Sequence, residues 1–233
     1  MRIGYESRGR VSPAGGMVTR MVSRSWLAVE FGLVFFVLVG LFALVRVPGG
    51  PIPALLVLTV VVAFYFRRAR TFDRRDLWRA SALLPALPSI LRLFAAAAVV
   101  AVAGVFLFDR AHLFDLPLHN PGLWALITVA YPVVSVYPQE LLFRAFLLHR
   151  YGPLFGTERV AACWSAVAFG FAHILFGNVL AVVLTLAGGW LFARRFQQTR
   201  SLLTACVEHA LYGLLIFTVG LGRYFYHGTQ FGA

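Results

Sequence analysis

The sequence predicts an all-α protein, a polytopic transmembrane bundle of about seven or eight spans. Three observations carry that expectation. The chain of 233 residues is 60% hydrophobic and only 13% charged, and its mean hydropathy of +0.80 lies far above that of a soluble globular domain. Runs with almost no charge recur at 26–45, 51–66, 93–108, 121–138, 160–176, 179–193 and 202–221. The basic residues sit between those runs, where flanks of membrane helices carry them.

A helix crossing the hydrocarbon core needs about 20 residues, so the shorter runs must borrow flanking residues or tilt. The first 25 residues are polar, with Gly, Ser and Pro, and read as a flexible cytoplasmic tail. The 26–45 run is too long for a removed signal peptide and lacks its small-residue cleavage site, so it is expected to remain a membrane helix. The Pro-broken stretch ALLPALPSIL at 82–91 is the source of an eighth span, interfacial or re-entrant. Residues 26–233 form a single membrane-embedded domain, with no internal repeat and no loop long enough for a soluble unit.

The net charge of +12 comes from arginine alone, since the chain has no lysine. In a soluble protein that excess would point to nucleic acid. Here the arginines flank apolar runs, and topology explains them better. Arg2, Arg8, Arg10, Arg20 and Arg24 precede the first span; Arg67, Arg68, Arg70, Arg74, Arg75 and Arg79 follow the second. Arg150, Arg159, Arg194, Arg195 and Arg200 mark two further inside loops, whereas 109–120 has one Arg against two Asp and lies outside. The N-terminus is expected inside and the C-terminus outside. Arginine-only basic usage fits a GC-rich bacterial genome, which places the chain in a bacterial cytoplasmic membrane. Cys163 and Cys206 fall within different apolar runs and read as small buried hydrophobes.

Ionisable groups inside spans are costly, about 2.5–3.5 kcal/mol on insertion scales, and so are functional candidates. They are Glu30, Glu140, Arg144, His173, Glu208 and His209. Glu30 can reach the interface beside Trp26. Glu140 and Arg144 in YPQELLFR are spaced i, i+4 on one helical face, either as an ion pair locking helices or as a carboxylate held facing a wet cavity. Measured from the GPLFGT turn at 152–157, Glu140 and His173 lie about 18 and 24 Å up adjacent antiparallel helices, and His209 enters about 14 Å from the following turn. Three ionisable side chains thus converge, provided the fourth helix runs through Pro138 to about Tyr151. The pocket they share is expected to open to the cytoplasmic side.

These motifs resemble the CPBP family, the CAAX prenyl proteases and bacteriocin-processing or abortive-infection proteins, which are membrane-embedded glutamic proteases. The resemblance rests on QELLFR, Phe169-x-x-x-His173 in FGFAH and His209 opening HALYG, over about 120–222. Two positions depart from it: Gln139 stands where the leading Glu is usual, and Gly213 where an Asn usually follows the His by four. The resemblance implies peptide-bond hydrolysis near the membrane, without a covalent intermediate and without a cofactor. Glu140 would act as base in place of Gln139, His173 would hold the water, and His209, with Asn178 or a backbone N–H near Gly213, would stabilise the oxyanion. Asn178 is alternatively a plain helix cap, and Glu208 is expected to orient an Arg or a neighbouring helix. A zinc site of Glu140, His173 and His209 is chemically possible, but no His-Glu-x-x-His signature accompanies it. The implied partners are the lipid bilayer and a membrane-anchored peptide or protein, with no nucleic acid. Two other classes compete: a degenerate member serving as a peptide-binding or immunity scaffold, supported by Gln139 and Gly213, and a small proton-coupled transporter.

Overall fold

The computed structural model describes residues 23–45 and 50–225, and among them every regular element is helical. Residues 1–22, with most of the expected tail, and the C-terminal residues 226–233 lie outside the described part. Seven long helices follow one another: α1 Arg24–Leu44, α2 Ile52–Arg68, α3 Ala80–Phe108, α4 Pro121–Phe155, α5 Glu158–Phe176, α6 Val179–Thr199 and α7 Leu202–Val219. Six of these have the length and apolar content to cross a membrane. The remaining one, α2, has 17 residues and meets charge only at Arg67 and Arg68 in its last turn. Outward faces carry Leu44, Val100, Phe108 and Val129 exposed, the surface of a chain solvated by lipid.

The eighth span does not form. The stretch 82–91 belongs to α3, which continues through Pro88 without a break. The missing Pro N–H removes one ladder bond, and in the same turn Arg92 Nε donates to the Pro88 carbonyl at 3.2 Å.

Tight turns make α4 to α7 antiparallel neighbours. Gly156, at φ 78°, ends α4, and Thr157 caps α5 by accepting from Val160 N. Gly177, at φ 69°, stands before α6, whose cap is Asn178. Arg200 ends α6 in the left-handed region at φ 48°, and Ser201 caps α7 while its hydroxyl donates to the Arg79 carbonyl at 2.9 Å. In lipid there is little hydrophobic force between helices, so close backbone approach must hold α5 to α6. Small residues allow it: Ala162, Ala166 and Gly170 on α5 are buried, as are Gly189 and Ala193 on α6. A Cβ at Gly189 would lie 2.9 Å from Ala166 Cα, and one at Gly170 would meet the Leu186 side chain at 2.5 Å.

Charges inside the bundle are paired across helices. Glu30 on α1 accepts from Arg150 Nε and Nη2 at 3.0 and 2.8 Å and from the Tyr151 hydroxyl at 2.8 Å. Glu208 on α7 accepts from Arg195 Nε and Nη2 at 2.7 and 3.0 Å, and Arg195 also donates to Ser89 Oγ at 2.9 Å. Arg150 and Arg195, expected in inside loops, are therefore helix residues turned inward by a carboxylate on another helix. Glu208 orients an arginine, as expected. Cys163 proves exposed on the outer face of α5 and Cys206 half-buried, so the expectation of two buried thiols fails for the first.

The α5–α6 contact yields a test. Gly189→Leu should lower the thermal unfolding midpoint in detergent, by the equivalent of about 1–3 kcal/mol, because the obstacle is backbone. Gly40→Ala on α1, with nothing within 4 Å of the added Cβ, should leave the midpoint unchanged or raise it. Equal behaviour of the two variants would remove the close-approach explanation.

Candidate active site

The site is built around an irregular stretch of α4. Pro132 and Pro138 each lack the N–H that a regular helix requires. Around them the helix widens into π-type turns at Pro132–Val136 and Leu141–Phe146, with the single α-helical turn Tyr137–Glu140 between the two. Such π segments recur at functional positions because they re-aim the side chains that follow. Here Gln139 reaches a cavity wall while Glu140 turns into packed protein.

Glu140 is fully buried, and its two carboxylate oxygens have different partners. Oε1 lies 2.8 Å from His209 Nδ1, and Oε2 lies 3.2 Å from Arg144 Nε. Arg144 is itself fully buried. The Arg144–Glu140 contact is an ion pair without hydrogen-bond geometry, and the guanidinium carbon stands 4.2 Å from the centre of the Phe169 ring and 5.5 Å from that of Phe192, so aromatic faces take up charge that none of its N–H groups hydrogen-bonds among the described residues. Desolvating two ions costs several kcal/mol each, so this pair is better understood as fixing positions than as adding stability.

His209 is held on several sides. An ionised carboxylate only accepts, so Nδ1 carries the hydrogen and the neutral ring keeps its lone pair on Nε2. The ring stacks on Phe192 at 4.6 Å and 13° and meets Phe169 edge-on at 5.6 Å and 89°. Nε2 lies 3.3 Å from the Tyr131 hydroxyl. His173 follows the same logic. It begins the 3₁₀ turn that closes α5, and its Nδ1 donates to the Phe169 carbonyl at 2.7 Å. A carbonyl accepts only, so the neutral ring again keeps its lone pair on Nε2. Phe169 is the shared platform, touching His173 at 4.6 Å between ring centres as well as His209 and Arg144.

The two histidines line one cavity of about 1580 Å³, together with Tyr131, Ser135, Gln139 and Phe169. Glu140 and Arg144 are not on its wall; the carboxylate stands behind His209. The sequence expectation of three groups around one hollow thus holds for the imidazoles, while Glu140 reaches the cavity only through His209. Gln139 donates from Nε2 to Ser135 Oγ at 2.7 Å. Asn178 does not join the site: Oδ1 caps α6 by accepting from Ala181 N at 2.8 Å, and Nδ2 donates to the Tyr224 carbonyl at 2.8 Å. Among the described residues no three of His, Cys, Asp and Glu gather as a metal-ligand set.

The cavity also runs to Phe42, Ile52, Asp109, Gly177 and Tyr224, at the end of the bundle away from Arg67, Arg68, Arg194 and Arg200. The expected opening beside the arginine-rich loops is therefore not the observed one. Sequence reading passed over Tyr131 and Phe192, because an uncharged aromatic in an apolar run carries no signal of its own. The geometry offers two oriented imidazoles with basic nitrogens, one backed by a buried carboxylate, in an otherwise mostly apolar cavity. That set can move a proton to and from water.

Comparison with known families agrees with the motif order. A family model described as Rce1-like, type II CAAX prenyl endopeptidase Rce1-like, matches residues 120–215. That range holds Gln139, Glu140, Arg144, Phe169, His173 and His209. No curated relative and no solved structure matches the chain. The chain is thus a multi-pass membrane protein whose segment 120–215 is similar to the type II CAAX prenyl endopeptidases of the Rce1-like family.

Proposed function

We propose that this chain is an endopeptidase that hydrolyses a peptide bond near the membrane with a water activated by the Glu140–His209 pair. The observation that carries this reading is the 2.8 Å bond from His209 Nδ1 to the buried Glu140 carboxylate, with the same imidazole on the cavity wall. A water held at His209 Nε2 attacks the carbonyl carbon as its proton passes to Nε2. Glu140 stabilises the imidazolium that forms, the role a buried carboxylate has beside a catalytic histidine. His173 Nε2 accepts the second hydrogen of the water and aims its lone pair. When the intermediate collapses, the C–N electron pair stays on nitrogen, which takes the proton back from His209. Arg144 holds Oε2 so that Oε1 stays on His209. Gln139 takes no proton; it shapes the wall beside Ser135.

Charge and cavity position bear on the substrate. With the arginine-rich ends of α2 and α6 on the cytoplasmic face of a bacterial membrane, the N-terminus lies inside and the cavity opens away from the cytoplasm. A membrane-anchored peptide, such as the tail of an exported protein, then reaches the site from the outer face. Single cysteines at Ile52 and at Arg68 test this with a membrane-impermeant thiol reagent on intact cells: Ile52→Cys should label and Arg68→Cys should not.

A second reading, a scaffold that binds peptides without cutting them, draws on Gln139 and on the withdrawal of Glu140 from the cavity wall. Cleavage of membrane-anchored peptides by purified protein separates the two. Glu140→Gln, His173→Ala and His209→Ala should each lower kcat, by about 10²–10⁴-fold for groups in proton transfer, and Gln139→Ala by less than about tenfold. Indistinguishable behaviour of all variants and wild type would leave the scaffold reading.

Arg144→Met should act through stability. Removing one partner of a buried pair leaves the other charge uncompensated, a loss of about 3–5 kcal/mol, to be read as a lowered unfolding midpoint in detergent. Restoring it by combining Arg144→Met with Glu140→Gln would show that the charge, and not the lost volume, was responsible.

A further inference from the structure

Tyr131 lies eight residues before Gln139 on α4, and its hydroxyl is the polar group nearest His209 Nε2, at 3.3 Å. It stands on the same cavity wall. The ring is held edge-on by Phe217, with centres 5.4 Å apart at 74°, and by His209 at 6.2 Å and 81°. The hydroxyl occupies its place only because residue 213 has no side chain. A Cβ built at Gly213 would lie 2.3 Å from the Tyr131 oxygen and 2.5 Å from Cζ, a clash with a ring that Phe217 and His209 already confine. Gly213 is four residues beyond His209 and so shares its helical face. A side chain there would point at the spot the phenol now fills.

With the lone pair on Nε2, the Tyr131 O–H donates to that nitrogen in the resting site; a water that takes its place on Nε2 releases the O–H, which rotates about the C–O bond toward the neighbouring carbonyl oxygen. Hydrolysis makes a tetrahedral carbon bearing two oxygens, one from the water and one from the former carbonyl. Those two oxygens lie closer together than one hydrogen-bond length. A water at His209 Nε2 and a carbonyl oxygen beside the Tyr131 hydroxyl can therefore belong to the same carbon. We propose that Tyr131 is the oxyanion donor of this site, admitted by Gly213. The proposal rests on the hydrolytic reading above. As the water oxygen bonds to carbon, the π pair of the C=O moves onto oxygen, and the Tyr131 O–H donates to it without giving up its proton. When the C–N bond breaks, the pair returns, the carbonyl re-forms and the hydrogen bond relaxes. A donor aimed at the charge that develops stabilises the transition state more than the substrate.

The test uses the full-length protein in detergent or liposomes, with a cleavable membrane-anchored peptide and its non-cleavable phosphinate analogue, whose tetrahedral anionic centre imitates the intermediate. Tyr131→Phe keeps the ring and its packing. It should reduce kcat by about 10²–10³-fold, the usual loss for one oxyanion donor, with KM changed by less than about twofold and the unfolding midpoint unchanged. Its affinity for the phosphinate should fall by at least about tenfold while affinity for the uncut peptide holds. A swap checks the space argument. Gly213→Asn alone should impair the enzyme, whereas Tyr131→Ala with Gly213→Asn should exceed Tyr131→Ala alone by at least about tenfold, since an amide N–H then enters the vacated volume.

If wild type cleaves and Tyr131→Phe matches it in both kcat and phosphinate affinity, the donor role is overturned and the hydrolytic reading stands. If wild type does not cleave but Tyr131→Phe still weakens phosphinate binding alone, the hydrolytic reading falls and the donor geometry stands. No cleavage together with no discrimination removes both.

Discussion

The arrangement of this bundle depends on how one buried carboxylate is shared. Glu140 gives one oxygen to His209 and the other to Arg144, and each of those partners is held by aromatic rings from α5 and α6. Inside a bilayer an isolated charge of this kind is not tolerated. Three helices must therefore come together wherever Glu140 goes: α4 carries it, α7 brings the imidazole, and α5 supplies Phe169 beneath both. The wide turns of α4 set the phase at which this happens. Without them a regular helix would give a different choice of which neighbour, Gln139 or Glu140, meets the cavity.

Much of this was readable in advance, and the limits have physical causes. Long apolar runs announce membrane helices without any help from periodicity, so each of the seven runs lies in a helix, although α3 begins 13 residues before its run, at Ala80, and α4 continues 17 residues beyond its run, to Phe155. Arg150 and Arg195 were misplaced because an apolar run ends at its first charge, whereas a helix continues if the charge finds a carboxylate elsewhere. Glu30 and Glu208 are those carboxylates, and nothing local in sequence pairs them. Asn178 was readable as a cap because capping is local chemistry.

The candidate site divides along the same line. Glu140, Arg144, His173 and His209 stood out as ionisable groups in apolar surroundings, and the i, i+4 spacing foretold the pair at 3.2 Å. Their phase about the helix axis did not follow from spacing, because Pro132 and Pro138 let the helix widen in a way that a fixed 100° step cannot track. Tyr131 had no signal at all. Its place beside His209 depends on the missing side chain of Gly213 on another helix, and absent atoms are legible only in three dimensions.

The arginine-bearing loops and the mouth of the cavity occupy opposite poles of the bundle. Loop charge sets the orientation of a membrane helix bundle, so a handful of guanidiniums far from the cavity decides which compartment its mouth faces. On the hydrolytic reading proposed above, moving basic residues from one pole to the other would change which peptides reach the cavity while leaving each atom of the interior where it is.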